Sequence, residues 1–450
     1  MASERLELKV RSGLMTAALG RARVRTVAFW LRKAGFSVAD QGVFSGANFL
    51  ANVLLARWLG PAEYGAFAVA FSVYLVLSGF HNALILEPMG VLGPARHAHR
   101  LDRYVRELVR MHAMVTGPFG LATVLAALAV VSDRSLERAL LAAGLALPLT
   151  LLVWFARRIP YLRTDPVAAL RASAAYAAVL LAAVGLLRVA GGLSGASAWL
   201  VLALAATVGS LAAGLPVGRG KPVAGGELGL REVFAEHWRF GRWIVAAALV
   251  NLGTGQLQVI LTGTVAGLEA AGALRAMLTP VLPLTQAFTA VGLLLVPLMA
   301  RDCASGDWQA LRRKTKLVAG TLTAIALIYE AGLVAFAEPL VLLLYGEQFL
   351  HAAWLLPIVG SIGVFTAAAT GFSFSLRAMQ KPKVSFVAAT LTSPVGLVTA
   401  VSFTWLWGLG GAAASLVSYY AAGLAVTLLL YRRWAPVAHL PPQTREVKTL

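Results

Sequence analysis

The chain has 450 residues and a net charge of +19; 59% of its residues are hydrophobic and 13% are charged. A water-soluble protein would carry about 25% charged residues, so the composition excludes an ordinary soluble domain. Apolar stretches of about twenty residues recur along the chain, and each can cross a hydrocarbon core of about 30 Å. The sequence therefore predicts a polytopic membrane protein.

The apolar stretches predict an all-α protein with about twelve transmembrane helices. The stretches are rich in Ala, Gly, Leu and Val and contain several prolines, which favours closely packed, locally kinked helices. The strict alternation of barrel strands is not seen. The predicted spans lie near residues 36–57, 63–86, 108–131, 139–156, 167–187, 196–217, 242–263, 271–298, 317–337, 351–374, 384–406 and 409–431.

The sequence NVLLARWLGPAEYGAFAVAFS (residues 52–72) is apolar except at its centre, which Arg57, Gly60, Pro61 and Glu63 interrupt. Gly and Pro are strong breakers of regular structure. We expect a tight turn between the first two spans here.

An internal repeat predicts two six-helix lobes. GPAEYGAF, from Gly60, follows the first span, and GLEAAGAL, from Gly267, follows the seventh at an offset of 207. With an even number of spans, both lobes have one orientation and are related by an axis along the membrane normal. The predicted regions are an amino-terminal arm (1–35), the N-lobe (36–217), a Gly-rich cytoplasmic linker (218–241), the C-lobe (242–431) and a cytoplasmic tail (432–450).

The basic residues predict the orientation. If the amino-terminal arm and every second loop lie on one side, that side holds 34 of the 39 Lys and Arg residues. This bias places both termini in the cytoplasm and explains the high net charge without nucleic-acid binding. The arm is predicted to form a basic amphipathic helix on anionic lipids.

Motifs of catalysis are missing. The chain has no GxxxxGK[ST] phosphate loop and no HExxH, and its single cysteine, Cys303, excludes paired-cysteine sites. His97 and His99 are not spaced to share one helical face for a metal and are expected to be solvated loop residues. We expect no catalytic residue, no metal and no cofactor, and hence no enzyme.

Three segments resemble the polysaccharide transporter family of the multidrug, oligosaccharidyl-lipid and polysaccharide exporter superfamily. They are ARWLGPAEYGAFAVAFS (56–72), LLLYGEQFLHAAWLLPIVG (342–360) and GLGGAAASLVSYYAAGLAVTLLLYRR (408–433). The resemblance implies a Wzx-type flippase, which carries undecaprenyl-pyrophosphate-linked oligosaccharide from the cytoplasmic to the outer leaflet for O-antigen or exopolysaccharide synthesis. It also implies an inner-membrane location and, as further partners, membrane lipids and polysaccharide polymerase or export machinery.

A flippase for such a cargo needs a hydrated cationic path, because charges and hydroxyls lose their water in hydrocarbon. Arginines can grip phosphate in a bidentate fork, or they can snorkel to the membrane surface. Arg171 is the favoured candidate, with a cytoplasmic funnel of Arg157, Arg158 and Arg163. The candidates for the substrate path are Arg57, Arg171, Arg242 and Arg275.

Polar residues in two spans form one-sided patterns. Ser45, Asn48 and Asn52, and likewise Asn251, Thr254 and Gln258, follow i, i+3, i+7 spacing. Such faces can bond sugar hydroxyls in a seam between the lobes, and hydrogen bonds between helices explain them equally well. Asn48, Asn52, Asn251 and Gln258 are therefore further candidates for the substrate path.

Two carboxylates are candidates for ion coupling. Glu330 lies well inside the ninth span and Glu87 ends the second, six residues after His81. Intramembrane carboxylates are rare and often functional. Two other functions stay open: a drug or organic-cation antiporter, which should have acidic cavity residues, and a membrane-embedded glycosyltransferase or polymerase, which should have catalytic carboxylates or a long outer loop.

Overall fold

The computed structural model describes residues 32–33, 35–215, 228–250, 255–379 and 382–434. Within these ranges the regular structure is helical and no strand occurs. Nine helical segments of the described residues are long and apolar enough to cross a membrane. The predicted all-α polytopic class is confirmed, and the count of about twelve spans stays a prediction. Most of the arm, with its predicted amphipathic helix, most of the tail and residues 218–227 of the linker lie outside the described residues.

The helices of the first half follow the predicted spans and extend beyond several of them. The second predicted span, 63–86, is part of a longer helical segment, in which a π-helical turn at Asn82–Leu86 joins two α-helices. A 3-10 turn, Ala98–Arg100, precedes α4. In chain order the helices are α1 (35–58), α2 (Pro61–His81), α3 (Glu87–Arg96), α4 (Leu101–Val130), α5 (Arg134–Leu162), α6 (Pro166–Val189) and α7 (Gly195–Ala212).

The second half begins at Leu230, inside the range predicted as linker. Two 3-10 turns, Thr279–Val281 and Glu347–Ala352, separate neighbouring helices. The last helix is broken at Gly408, whose φ of 54° suits glycine, so its two arms correspond to the last two predicted spans. The helices are α8 (Leu230–Val250), α9 (Gly255–Val265), α10 (Leu268–Leu278), α11 (Leu282–Ala304), α12 (Trp308–Ala335), α13 (Ala337–Tyr345), α14 (Leu355–Ala378) and α15 (Pro382–Trp434).

The two ends of the helix bundle differ in charge. Long helices joined by short turns run antiparallel, so alternate connections lie at the same end. The connections near residues 97–100, 163–165 and 305–307 lie at the end where most Lys and Arg residues cluster, which we call the basic end. The turn at residues 59–60 lies at the opposite end.

The charged residues around this first turn have partners on other helices. The Arg57 Nη1 atom donates to the Leu343 carbonyl oxygen at 2.6 Å. The Glu63 Oε1 atom accepts from the Gly195 backbone N–H at 2.8 Å, at the start of α7. The break in the apolar run is the predicted turn, and its charges connect helices.

The repeated glycines Gly65 and Gly272 meet where α2 crosses α10. A Cβ atom on Gly65 would lie 1.8 Å from the Leu268 carbonyl oxygen, and one on Gly272 would lie 2.7 Å from the Pro61 carbonyl oxygen. The contacts are reciprocal, because Pro61 and Leu268 differ by the same offset of 207. Such reciprocity is expected of two lobes related by an axis and supports the proposed division at the linker.

Replacing Gly65 with Ala should force α2 and α10 apart, because the new methyl group meets a backbone oxygen that cannot move by itself. We expect a loss of about 1–3 kcal/mol, as for overpacked cores, measured as a lower thermal unfolding midpoint in detergent. Gly79→Ala on the same helix is the control, since no heavy atom lies within 4 Å of its Cβ position. Equal midpoints for the two variants would contradict this packing.

Candidate functional site: two cavities that share Arg275

A cavity of about 420 Å³ lies between the two halves of the chain. Its wall is aromatic and amide-rich: Phe71 and Tyr74 of α2 and Trp199 of α7 lie beside Asn48 and Asn52 of α1. Phe71 and Trp199 have ring centroids 6.0 Å apart, and those of Tyr74 and Trp199 are 5.5 Å apart. The second half contributes Gln256, Arg275, Leu282, Pro283 and Gln286.

A second cavity of about 780 Å³ lies among the helices of the second half. Arg275, Gln256 and Leu282 line both cavities, which are therefore adjacent. The second cavity is rich in hydroxyl groups and contains another arginine, Arg377, near the basic end. Its hydroxyl residues are Thr285, Thr289, Thr366, Thr370, Ser373, Tyr419, Tyr420 and Thr427.

Arg275 is the buried cation at the junction of the cavities. It lies about 10 Å along α10 from Leu268, at 1.5 Å per residue, and is only 7% exposed. Its guanidinium carbon is 4.8 Å from the centroid of the Phe71 ring. No Asp or Glu of the described residues forms an ion pair with it, and its Nε atom has no hydrogen-bond partner there. α2 covers this part of α10, so the side chain does not snorkel to the surface.

The predicted amides of α1 reach the first cavity. Asn48 donates from Nδ2 to the Phe44 carbonyl oxygen at 2.8 Å and accepts from the Tyr176 hydroxyl at 2.9 Å. Asn52 donates to the Asn48 carbonyl oxygen at 2.9 Å, and its Oδ1 atom is buried with no partner among the described residues. The wall therefore keeps acceptor capacity beside Arg275.

The structure does not bring the other three predicted arginines to either cavity. Arg171 is exposed on α6, and Arg242 is exposed on α8 with its guanidinium carbon 5.5 Å from the Trp243 ring centroid. Arg57 lies at the opposite end, bonded to Leu343. Of the four candidate arginines, Arg275 lines the cavities, and the favoured Arg171 does not. The role of each in the substrate path stays a prediction.

Gln258 joins helices and does not line either cavity. It donates to the Thr404 hydroxyl and accepts from the Ser415 hydroxyl, both at 2.7 Å, across α9 and the two arms of α15. The sequence allowed two roles for this side chain, binding of sugar hydroxyls and hydrogen bonds between helices. In the structure it makes hydrogen bonds between helices. Asn251 lies outside the described residues.

Both predicted carboxylates also lie away from the cavities. Glu330 is half-buried on α12, and its Oε2 atom, which has no described partner, lies 2.2 Å from where a Cβ atom of Gly360 would be. Glu87 is exposed and accepts a long hydrogen bond of 3.4 Å from Asn82. The role of either residue in ion coupling stays a prediction.

The predicted cytoplasmic funnel is only partly a free cationic surface. Arg157 is buried and bonds to Asp40, with its Nη2 atom 2.9 Å from Oδ2. Arg163 pairs with Asp102 on the surface. Arg157 is therefore a structural cation, because a carboxylate that the sequence did not single out neutralises it.

The comparisons with known proteins agree with this architecture. A family model described as polysaccharide biosynthesis protein matches residues 169–354. The structure is similar to that of the lipid II flippase MurJ in an inward closed conformation, with a TM-score of 0.68 and 13% identity over 88% of this chain and 86% of that one.

An inward-facing multidrug resistance MATE family transporter of the MOP superfamily matches with a TM-score of 0.68 and 15% identity, over 87% of this chain and 94% of that one. The chain has the same fold as these two proteins. The predicted resemblance to polysaccharide transporters is confirmed.

Another MOP transporter, from Pyrococcus furiosus, described by a reversed polarity of its binding pocket, has a TM-score of 0.60 and 15% identity, over 90% of this chain and 94% of that one. No curated protein matches the sequence.

Further contacts between the two halves lie near the basic end of the bundle. The His237 Nδ1–H group of α8 donates to the Leu84 carbonyl oxygen at 2.8 Å, and its Nε2 atom accepts from the Tyr104 hydroxyl at 2.7 Å. Glu236 accepts from His97 at 2.8 Å. The prediction that His97 is a solvated loop residue is wrong, because its side chain is fully buried in this contact. A Cβ atom on Gly241 would lie 2.4 Å from a backbone oxygen of the π-helical turn. We call these contacts the basic-end closure.

Burial and neighbouring charges shift the pKa values of two groups in the closure, Glu236 and His237. Burial raises the pKa of Glu236, but the hydrogen bond and charge of His97 and the charge of Arg96 outweigh it and lower that pKa below its ordinary value. Burial lowers the pKa of His237 to about 4. An opened closure would restore the ordinary value near 6.5 for His237. The open state then binds protons more tightly, so closure weakens as the pH falls from about 6.5 towards 4.

Proposed function

We propose that this protein is a flippase that moves an undecaprenyl-pyrophosphate-linked oligosaccharide from the cytoplasmic to the outer leaflet of the inner membrane. The proposed role is polysaccharide synthesis, with no making or breaking of covalent bonds. Both termini would lie in the cytoplasm, as the distribution of basic residues indicates. The MurJ structure, described as a lipid II flippase, supports a lipid-linked cargo.

The observation that carries this proposal is the position of Arg275. A buried guanidinium without a carboxylate partner is costly, and a diphosphate can compensate for that cost with two parallel charge-assisted hydrogen bonds. The described residues that line the two cavities include Arg275 and Arg377 but no Asp or Glu. This lining favours an anionic cargo over the organic cation of an antiporter.

The remaining wall suits the oligosaccharide. Sugar hydroxyls both donate and accept hydrogen bonds, as amides do, and the first cavity has unpartnered polar atoms at Asn52 Oδ1, Trp199 Nε1 and Gln256 Oε1. The polyprenyl tail would stay in the lipid, because it gains nothing from a polar cavity.

Movement of the cargo requires that the two contacts between the halves, one at each end of the bundle, open one after the other. The halves touch at the basic end through His237 and at the opposite end through Gly65 and Gly272. Parting one closure while the other holds gives alternating access to a fixed site between the lobes. Arg275 lies between these two closures along the bundle.

The deciding experiment measures movement of a fluorescent undecaprenyl-pyrophosphate oligosaccharide across vesicles that contain the purified protein. We expect time-dependent access of the label to an external quencher, and none in protein-free vesicles. Absence of movement for every anionic lipid-linked sugar tested, together with proton-dependent efflux of an organic cation, would replace the flippase by the antiporter.

A further inference from the structure

Two buried histidines, His81 and His112, form a hydrogen-bonded pair beside the basic-end closure. The His81 Nε2 and His112 Nδ1 atoms are 2.9 Å apart, and the rings meet nearly edge to face, with centroids 5.0 Å apart. The His112 Nε2 atom lies 2.9 Å from the Pro148 carbonyl oxygen. His81 is fully buried and His112 is 4% exposed. The pair joins α2, α4 and α5.

The Pro148 carbonyl group determines which ring nitrogens of the pair carry hydrogen. The Pro148 oxygen can only accept, so His112 Nε2 carries a hydrogen and, in the neutral ring, His112 Nδ1 accepts from His81 Nε2. The His81 Nδ1 atom is then a bare acceptor, buried and without a partner among the described residues. Buried polar atoms are rarely left so, and this one can take up a proton.

The pair is directly connected to the closure. His81 is the last residue of α2, and the π-helical turn begins at the next residue. The Leu84 carbonyl oxygen of this turn accepts the hydrogen bond of His237, whose helix belongs to the second half. Such π-helical turns often occur at functional sites. A change of charge at His81 therefore acts one helical turn from a contact that holds the halves together.

No carboxylate of the described residues bonds to either ring of the pair. Two acids nearby are already paired, Asp40 with Arg157 and Glu107 with Arg110. α7 and α9 carry no charged residue. The α2 segment and the helices around it carry further charged or titratable groups, among them Glu63, Glu87, His237 and Arg275. Of these further groups, the charge of Arg158 acts on His81.

We infer that the His81–His112 pair is a proton-binding site that takes up one proton when the basic-end closure opens. An imidazolium ion that is buried without a carboxylate is costly, so the closed state keeps the pair neutral. Water that enters an opened closure solvates the ion, and the pair then binds a proton near the ordinary histidine range. Proton binding and opening favour each other. The inference does not depend on the identity of the cargo.

The experiment measures opening as the alkylation of a buried thiol by a maleimide. Val233→Cys is the reporter, since Val233 of α8 is fully buried in the same cluster as Ile85 and Leu86. Phe234→Cys is the reference, because Phe234 is next to Val233 in the sequence but is 43% exposed. Both are made with Cys303→Ala, which removes the single native thiol. The ratio of the two rates removes the intrinsic effect of pH on thiol reactivity.

We expect the ratio to rise as the pH falls below about 6, by up to tenfold per pH unit for each proton bound on opening. In His81→Gln, His112→Gln and the double variant, the pH dependence of the ratio should fall by the same amount, which corresponds to one proton fewer bound on opening, because the pair binds one. In His237→Gln, the pH dependence should fall by the contribution of a second proton, which binds to His237 itself. An unchanged slope in His81→Gln, or loss of all pH dependence in His237→Gln alone, would overturn the inference.

A second measurement avoids substitutions in the pair. In protein labelled with ¹⁵N-histidine, we expect at pH 5 an imidazolium bonded to a neutral imidazole, and at pH 7.5 two neutral rings. Two rings that stay neutral and bonded at pH 5 while the reporter thiol is being alkylated would mean that the pair is only a structural contact between helices.

Discussion

Arg275→Met should reduce the affinity for the lipid-linked diphosphate at least about a hundredfold. The variant keeps a long side chain but removes the guanidinium that lies between the two cavities. Two charge-assisted hydrogen bonds contribute about 1.5–3 kcal/mol each, and each 1.4 kcal/mol is tenfold in affinity. Binding is measured by titrating the purified protein with the fluorescent cargo, and transport by the vesicle assay.

The matched control is Arg171→Met, which removes the same group from an exposed position on α6. We expect it to bind and transport like the unchanged protein. Arg275→Lys should be intermediate, because an ammonium ion keeps the charge but not the planar fork. Equal losses in Arg275→Met and Arg171→Met would show that net positive charge, and not a cavity cation, attracts the cargo.

Arg275→Met also has an expected effect on stability that separates binding from folding. Removing a buried charge without a carboxylate partner is neutral or stabilising when an apolar group fills the space. The unfolding midpoint of the variant without cargo should therefore not fall. A lower midpoint would mean that contacts such as the one with the Phe71 ring stabilise the closed structure.

Hydropathy and glycine spacing were enough to predict the helical class and the turn near Gly60. Both depend on local rules: apolar length sets a span, and Gly and Pro interrupt it. The repeat at an offset of 207 also contained tertiary information, since Gly65 and Gly272 meet in the structure. A close helix crossing needs small residues on both sides, so matched glycines are a readable signal.

Residue spacing could not predict whether a polar helix face lines a cavity or contacts another helix. Asn48 and Gln258 belong to two trios with the same i, i+3, i+7 spacing. Asn48 nevertheless lines a cavity, whereas Gln258 joins α9 to α15. Periodicity tells which residues share a face, but not which helix that face meets. The aromatic wall had a weak signal of the same kind, because Phe67, Phe71 and Tyr74 share one face of α2.

For a related reason, the sequence could not tell which of the four candidate arginines lines a cavity. A position near the end of a span permits snorkelling only if that end faces lipid. Arg275 is near the end of its predicted span, but α2 packs over α10 and encloses it. Arg171 has the same distance from a span end, and nothing covers it. The neighbouring helix, which hydropathy does not reveal, decides between the two.

Asp40→Ala should destabilise the protein by about 3–5 kcal/mol, because it leaves Arg157 buried without its counter-ion. Asp40 is 2% exposed and accepts hydrogen bonds from Arg157 of α5, from the Tyr161 hydroxyl at 2.7 Å and from the Ser173 hydroxyl of α6. One carboxylate thus connects three helices of the first half. The loss is measured as a shift of the unfolding midpoint and of the denaturant titration in detergent.

Two comparisons isolate the buried charge as the cause. Asp102→Ala breaks another Asp–Arg pair, with Arg163, whose side chains are 66% and 45% exposed; such surface pairs contribute about 0–1 kcal/mol. Asp40→Leu combined with Arg157→Met removes both buried charges and should recover most of the loss. A double variant as unstable as Asp40→Ala would show instead that the lost hydrogen bonds of Tyr161 and Ser173, and not the isolated guanidinium, are what the fold depends on here.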